Sequence, residues 1–241
     1  MKLLQLNIWG GRLEKQIAWL LESEKPDVIC LQEAISIEGG NSGGFFLTVE
    51  EIRDKLNMQL AYSPTVSFKF MNRRAEFGNA ILSKIPIEKQ NTVFTSQQYV
   101  ENFDFDTHDY NIRNLLHVTY KVNGENIHVL THHGYHLLEH KNGNDETMRQ
   151  CKLIADYVNS LEGKVILAGD FNLSPNSQSL EQLNLMLNNQ CIEHKVTTTR
   201  TPLTHNLEVC DYVFTSKNMN VKSFNISDEI ASDHKALIVE I

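Results

Sequence analysis

Apolar residues along the chain recur mostly at intervals of two, in short runs, and change to helical spacing in only a few segments. Leu4, Leu6 and Ile8 alternate with Gln5 and Asn7, which predicts an opening strand over about 2–9, ended by Gly10 and Gly11. Ile17, Leu20 and Leu21 fall at helical spacing within 13–24, and Lys25-Pro26-Asp27 stops that helix. The apolar run 28–32 reads as a short buried strand. Four glycines without periodicity make 38–45 a loop beside its end, and 50–58 reads as another short helix. Strands are predicted at 59–64, 67–71, 78–83, 85–89 and 115–122.

Asn123-Gly124 is the strongest hairpin signal, joining 116–122 to 126–132. Before it, 95–111 is polar and aromatic by turns and predicts a long irregular loop. A helix over 145–161, capped by Asn144 or Asp145, carries Met148, Cys151, Ile154, Ala155 and Val158 on one face. A buried strand at 165–168, a helix at 176–187 and strands near 209–215, 221–226 and 236–241 complete the series. No repeat, low-complexity tract or linker breaks it. One domain over 1–241 is expected, with two sheets face to face and helices outside.

Composition narrows the chemistry. Hydrophobic residues make up 41% of the chain and charged ones 22%, which excludes wholesale disorder. Against 22 Lys and Arg stand 30 Asp and Glu, a formal charge of −8. That balance gives no general attraction to a polyanion, because counterion release needs clustered cations. A phosphate substrate stays compatible with it, since a divalent metal in a carboxylate-lined cleft makes a negative surface locally receptive. Lys69, Arg73 and Arg74 form at most a small basic patch, and a solvated turn is the expected reading. Cys30, Cys151, Cys191 and Cys210 make no C-x-x-C pair, which fits a reduced compartment, and Cys30 and Cys151, on apolar faces, are expected to be small core residues. The polar groups among the first seven residues do not make a secretion signal, and no stretch approaches the roughly 20 apolar residues of a membrane span. A cytoplasmic location is expected.

Polar groups with catalytic potential stand just past apolar runs: Asn7, Glu33, His132-His133, Asp170 with Asn172, and Asp233-His234. Strand ends on one side of a sheet layer converge, so these separated segments could share one rim. Glu33, Asp170 and Asp233 are hard oxygen ligands suited to Mg2+ or Mn2+. A metal to polarise a phosphoryl oxygen, and a histidine backed by a carboxylate, would hydrolyse a phosphate ester. Any one such acid is ordinarily a turn former or helix cap; their order along the chain is the stronger signal. His132, His136 and His140 would suit zinc if helical, but Gly134 and the preceding strand alternation favour histidines lining the cleft. G-x-S-x-G and a phosphate-cradling glycine loop are absent.

Taken in order, Leu6-Asn7-Ile8-Trp9, Leu31-Gln32-Glu33, Gly169-Asp170-Phe171-Asn172, Asp211-Tyr212-Val213-Phe214 and Ser232-Asp233-His234 resemble the endonuclease/exonuclease/phosphatase superfamily over residues 4–239. Gly78 to Ser83 with Ile85-Pro86-Ile87 is similar to that family's central hairpin region. The resemblance implies a four-layer α/β sandwich of two mainly antiparallel sheets, and a Mg2+-dependent phosphoesterase that attacks a phosphodiester directly with water. A phosphomonoesterase, or a non-catalytic phosphate-binding module on the same scaffold, is the alternative. Carried over by position, Glu33 is the principal metal ligand, assisted by Asn7 and Asp233. His234 becomes the general base or transition-state contact, oriented by Asp211, while Asp170 and Asn172 position water and the scissile phosphate. The family's strand-end histidine falls on His133 or His132; His133 shares a face with Thr131 and is preferred, with His132 in reserve as a substrate contact. Arg113 is a candidate phosphate contact. The substrate class implied is a phosphate ester, a nucleic acid or nucleotide included, with a small or single-stranded diester favoured by the acidic balance. The loops 39–44 and 95–111 are expected to flank the cleft, where Phe45, Phe46, Tyr99, Phe103, Phe105 and Tyr110 could stack on a base.

Overall fold

The N-terminal alternation forms β1 (Lys2–Asn7). After α1 (Glu14–Glu24), the chain returns to lay β2 (Val28–Ile37) parallel to it, Leu3 beside Val28 and Asn7 beside Gln32. The structure is a computed structural model that describes residues 1–241. Thr48 and Glu51 close a reciprocal cap on α2 (Val49–Leu56), which leads into β3 (Gln59–Phe70) and β4 (Arg73–Ser83). The two strands expected at 59–64 and 67–71 are one, paired to β4 on both sides of an irregularity between Pro64 and Val66, where proline supplies no N–H. The expected strand at 85–89 instead begins at Lys89, because Ser83 Oγ accepts from Ile85 N–H and turns the chain there.

A second sheet follows: β5 (Lys89–Phe94), β6 (Asn114–Val122), β7 (Glu125–His133), α3 (Asp145–Asn159), β8 (Lys164–Asp170), α4 (Glu181–Met186), β9 (Leu187–Asn189), α5 (Gln190–Glu193) and β10 (Asp211–Ser216). The Asn123-Gly124 turn has both residues at positive φ, as a tight hairpin requires. The helix expected over 176–187 is shorter: Ser177 caps a 3-10 turn before α4, and Leu187 is taken into β9 opposite Ser216. The chain then rejoins the first sheet with β11 (Ser223–Ile226) and β12 (Leu237–Glu240).

The sheet orders are β11-β12-β1-β2-β4-β3 and β5-β6-β7-β8-β10-β9. Only β1–β2 and β7–β8 pair in parallel. Ile17, Leu20, Leu21 and Ile52 of α1 and α2 pack on Leu4, Leu6, Ile29 and Leu31 of the first sheet. Cys151, Ile154, Ala155 and Val158 of α3 belong to the larger core, which also takes Leu3, Cys30 and Ile81 from the first sheet and Leu116, Val129 and Leu167 from the second. This is the four-layer α/β sandwich anticipated. All four cysteines are buried and free. No helix is long and apolar enough to cross a membrane.

Under α3, away from any catalytic candidate, a chain of hydrogen bonds runs through two buried histidines. His128 Nε2 lies 3.1 Å from Glu162 O, His117 Nε2 2.9 Å from His128 Nδ1, and His117 Nδ1 2.9 Å from Tyr157 Oη. With His128 Nε2–H donating to Glu162 O and His117 Nε2–H to His128 Nδ1, His117 Nδ1 is left to accept from Tyr157 Oη. Burial, then the neighbouring His128, lowers the His117 pKa to about 4. The unfolded chain therefore takes up this proton near its ordinary 6.5 while the folded chain refuses it, so stability falls as pH drops from about 6.5 to about 4. In urea unfolding at pH 7, 5.5 and 4.5, His117→Gln is expected to show a shallower loss than the parent protein; an identical slope would discard this role for His117.

Candidate active site

The parallel pairs decide where chemistry collects. Because β1 runs with β2, and β7 with β8, the C-terminal ends of all four strands reach the same rim. Register then fixes neighbours: His133 pairs with Asp170, and Asp170 with Asp211 at the start of antiparallel β10. Asp233 and His234 arrive just before β12, which runs antiparallel to β1.

Glu33 lies within β2 rather than closing it. Gln32 Nε2 donates to Thr131 Oγ1 of the facing sheet at 2.8 Å, so strict alternation would turn Glu33 outward with Leu31. A bulge interrupts the pairing to β4 between Leu31 and Ala34, and Glu33 adopts φ +54°, which swings its carboxylate back to the rim. Asn7 Nδ2 donates to Glu33 Oε1 at 3.0 Å and to Asp170 Oδ2 at 3.1 Å, while its Oδ1 accepts from Trp9 N–H. In this arrangement Asn7 turns its N–H groups to the two carboxylates and braces them, while its oxygen is bonded to the Trp9 amide. Burial, opposed by Asn7 and His234 and reinforced by Asp170 and Asp233, raises the Glu33 pKa.

Asp170 is nearly inaccessible. Its Oδ1 accepts from Asn172 N–H at 2.9 Å, and Oδ2 stands 3.8 Å from His133 Nε2 and 3.6 Å from His234 Nε2. Burial alone would raise its pKa, but His234, Arg200 and His133, with the Asn172 amide, outweigh that and hold it below the usual carboxylate range. Asn172, at φ +55°, accepts from the buried Lys141 ammonium at 2.9 Å. A Cβ on Gly134 would sit 2.1 Å from Phe171 O, so glycine alone lets the chain after His133 pass so close to the Asp170 segment.

Asp211 is fully buried and its oxygens are fully used. They accept from Gln5 Nε2 (3.2 Å), Thr199 Oγ1 (2.7 Å) and His234 Nδ1 (2.9 and 3.0 Å). Burial disfavours charge on the His234 ring, yet Asp211 and Asp170 overcome it and raise the pKa to about 9. Arg200 Nη1 touches the other edge of the ring, at Nε2. The ring is thus held at both edges, Nδ1–H donating to Asp211 and Nε2 facing Arg200 Nη1.

Asp170, Asp211 and His234 lie close enough to share an ion, but with Asp211 engaged, the oxygens left facing the cleft are those of Glu33, Asp170 and Asp233. Such a crowd of hard oxygen donors fits a divalent cation of the Mg2+ class. The cleft is about 330 Å3, and Trp9, Val66, Phe77, Phe103, Phe105 and Tyr110 form its apolar side.

His132 is corrected: the alternation of β7 turns it away from His133, its Nδ1 meets Asn114 O at 3.0 Å, and its ring packs edge-on against Phe171. Burial lowers its pKa to about 4. His133 and His136 line the cleft, whereas His140 is exposed. Arg113 lines it too, but spends Nε on Gly134 O, Nη1 on Tyr110 O and Nη2 on Asn111 Oδ1. Of the two loops expected at the cleft, 95–111 supplies Phe103, Phe105 and Tyr110, while Gly39 and Gly40 border a separate depression beside α2. Phe45 and Phe46 pack edge-on against Phe70 instead, and Tyr99 bonds Arg74 and Glu76. Arg73 and Arg74 do not sit in the expected turn but open β4, and are bonded to Glu38 O, Asn41 O, Glu76 and Glu101. Sequence reasoning missed Arg200 and Lys141, because both stand in aperiodic polar segments that resemble any solvated loop.

The sequence profile of the endonuclease/exonuclease/phosphatase family matches residues 4–234. No curated protein matches the chain. Among solved structures, an endonuclease/exonuclease/phosphatase family protein from Leptotrichia buccalis is similar over 100% of this chain and 99% of its own, with TM-score 0.73 and 19% identity. A second, from Beutenbergia cavernae, covers 99% of this chain and 70% of its own at TM-score 0.72 and 17% identity. D. rerio TDP2 complexed with single strand DNA product covers 99% and 97% at TM-score 0.71 and 14% identity. At these identities the likeness is one of fold.

Proposed function

The chain belongs to the endonuclease/exonuclease/phosphatase family, whose members are phosphoric ester hydrolases, and on that premise we propose that it hydrolyses a phosphodiester by direct attack of water, with a divalent metal. The observation that carries this reading is the meeting of Glu33, His133, Asp170 and His234 at one rim, with Asp170 Oδ2 within 3.8 Å of both ring nitrogens. Glu33 and Asp233 would hold the metal, with Asp170 beside them. Once bound, Mg2+ or Mn2+ would polarise a phosphoryl oxygen and neutralise charge that builds on it.

The chain's own groups divide the remaining work. Asp170, kept ionised, and Asn172, fixed by Lys141, orient the attacking water. Burial and then Arg113 hold the His133 pKa well below its ordinary value, so that ring is neutral and able to accept. His234, clamped by Asp211 and drawn by it toward the protonated form, would face the phosphoryl oxygens as a transition-state contact or serve as the general base. The apolar wall suits a base or other planar group on a small or single-stranded diester, and the net charge of −8 disfavours tracking a long duplex. The single strand DNA product on the D. rerio relative is of the same class.

Hydrolysis of bis-para-nitrophenyl phosphate with Mg2+ or Mn2+ is the test. Turnover is expected to vanish in EDTA and return on adding metal in excess; undiminished turnover in EDTA would remove the metal from the reading. In a panel of oligonucleotides, single-stranded substrates are expected to be cut faster than the matching duplex.

A further inference from the structure

Arg200 stands in the cleft with hydrogen-bonding capacity that the protein leaves unused. Its backbone is pinned opposite His234: the two form an isolated antiparallel bridge, flanked by Lys235 N–H to Thr199 O at 2.8 Å and Thr201 N–H to Asp233 O at 3.0 Å. The residue is 8% exposed, yet Nε is buried with no acceptor. Nη1 touches His234 Nε2, and Asp233 Oδ2 lies 3.8 Å away, beyond hydrogen-bonding reach. A guanidinium carries five N–H donors in a rigid fork, and burying them unmet is costly.

Arg113 is the contrast within the same cleft. Each of its nitrogens donates to the protein, so it ties loops together and has little left for a ligand. Arg200 has the same fork, lines the cleft, and makes a single side-chain hydrogen-bond contact, to His234.

We propose that Arg200 is a further catalytic residue, gripping a non-bridging oxygen of the reacting phosphoryl group in concert with His234. The proposal rests on the phosphoesterase reading above and assigns the ligand class as an oxyanion of a phosphate ester. In the reaction a bond forms between water oxygen and phosphorus, the ester P–O bond breaks, and the proton that the water gives up is passed through solvent to the departing oxygen; Arg200 keeps all of its protons throughout. Its fork matches two phosphoryl oxygens, and the contact strengthens as charge accumulates on them. The effect therefore falls on kcat more than on KM.

The test titrates inorganic phosphate into the purified parent protein, Arg200→Gln and Arg200→Lys by calorimetry, with and without Mg2+, and measures kcat and KM on bis-para-nitrophenyl phosphate. Expected are phosphate binding weakened about tenfold or more in Arg200→Gln, with partial recovery in Arg200→Lys, and kcat lowered about 10²–10³-fold while KM moves far less. Equal phosphate affinity in the parent and the glutamine variant overturns the proposal, as does a parent protein that binds no phosphate. Should Arg200→Gln fail to fold, Arg200→Lys, which keeps the charge but not the fork, decides by the same comparison. A parent protein that binds phosphate through Arg200 yet hydrolyses no ester would defeat the hydrolase reading and leave the anion contact standing.

Discussion

Asp170→Asn is expected to lower kcat for phosphodiester hydrolysis by about 10³-fold, the scale typical of losing a positioned acid–base or electrostatic group. Asp170 is the residue at which the two sheets' contributions join: Asn7 reaches it from β1, His133 from β7, His234 from the segment before β12, and the Asn172 amide from its own turn. Asparagine keeps the shape and removes the charge. Two nearby cations, Arg200 and His234, then lose their common counter-charge, so the His234 pKa should fall from about 9, and NMR titration of that ring would report it. A variant that turns over within about tenfold of the parent would contradict the role given to Asp170.

Glu33→Gln is expected to act in opposite directions on two measurements. In metal-free protein it should raise Tm, because burial and the neighbouring acids already disfavour a charge at this position. The sign follows from linkage: a carboxyl whose folded pKa lies above its unfolded one favours folding while protonated, and at neutral pH its ionisation is a penalty that glutamine removes. In the presence of Mn2+, the same variant should lose metal affinity by about 100-fold or more, since groups merely behind a metal ligand are worth 10–100-fold. Thermal melts with and without Mn2+ read both effects. Equal metal-induced stabilisation of parent and variant would take Glu33 out of the metal site.

How much of this was legible beforehand depended on which physical rule each residue obeys. Asn7 and His133 stand where alternating runs stop and Asp170 just past a continuous apolar run, so hydrophobic pattern and order located them, and His133 lies on the cleft side of its strand with Thr131 on the same face. Glu33 was found for an incomplete reason. It was read as a strand terminus, whereas the strand continues to Ile37 and the residue reaches the rim through a bulge. A bulge leaves no reliable mark in a sequence of Leu, Gln, Glu and Ala. Gln5 alternates with Leu4 and Leu6 as a polar position does, and Gln32 ends the apolar run 28–32. Both are fully buried, because a sheet in the middle of a four-layer stack has no wet face. Arg200 and Lys141 depend on contacts made far along the chain, 34 residues away to His234 and 31 to Asn172, which no local pattern encodes.

Gln5 Nε2 donates to Gln32 Oε1 at 2.8 Å, and Gln32 passes the connection to Thr131 of the other sheet. Apolar side chains between layers attract without direction and would tolerate a small sideways slip of one sheet over the other. These amides do not, since their bonds hold only within a few tenths of an ångström. They act as a dowel set directly under the catalytic rim, keeping the half that carries Glu33 aligned with the half that carries His133 and Asp170 to the tolerance that phosphoryl transfer demands.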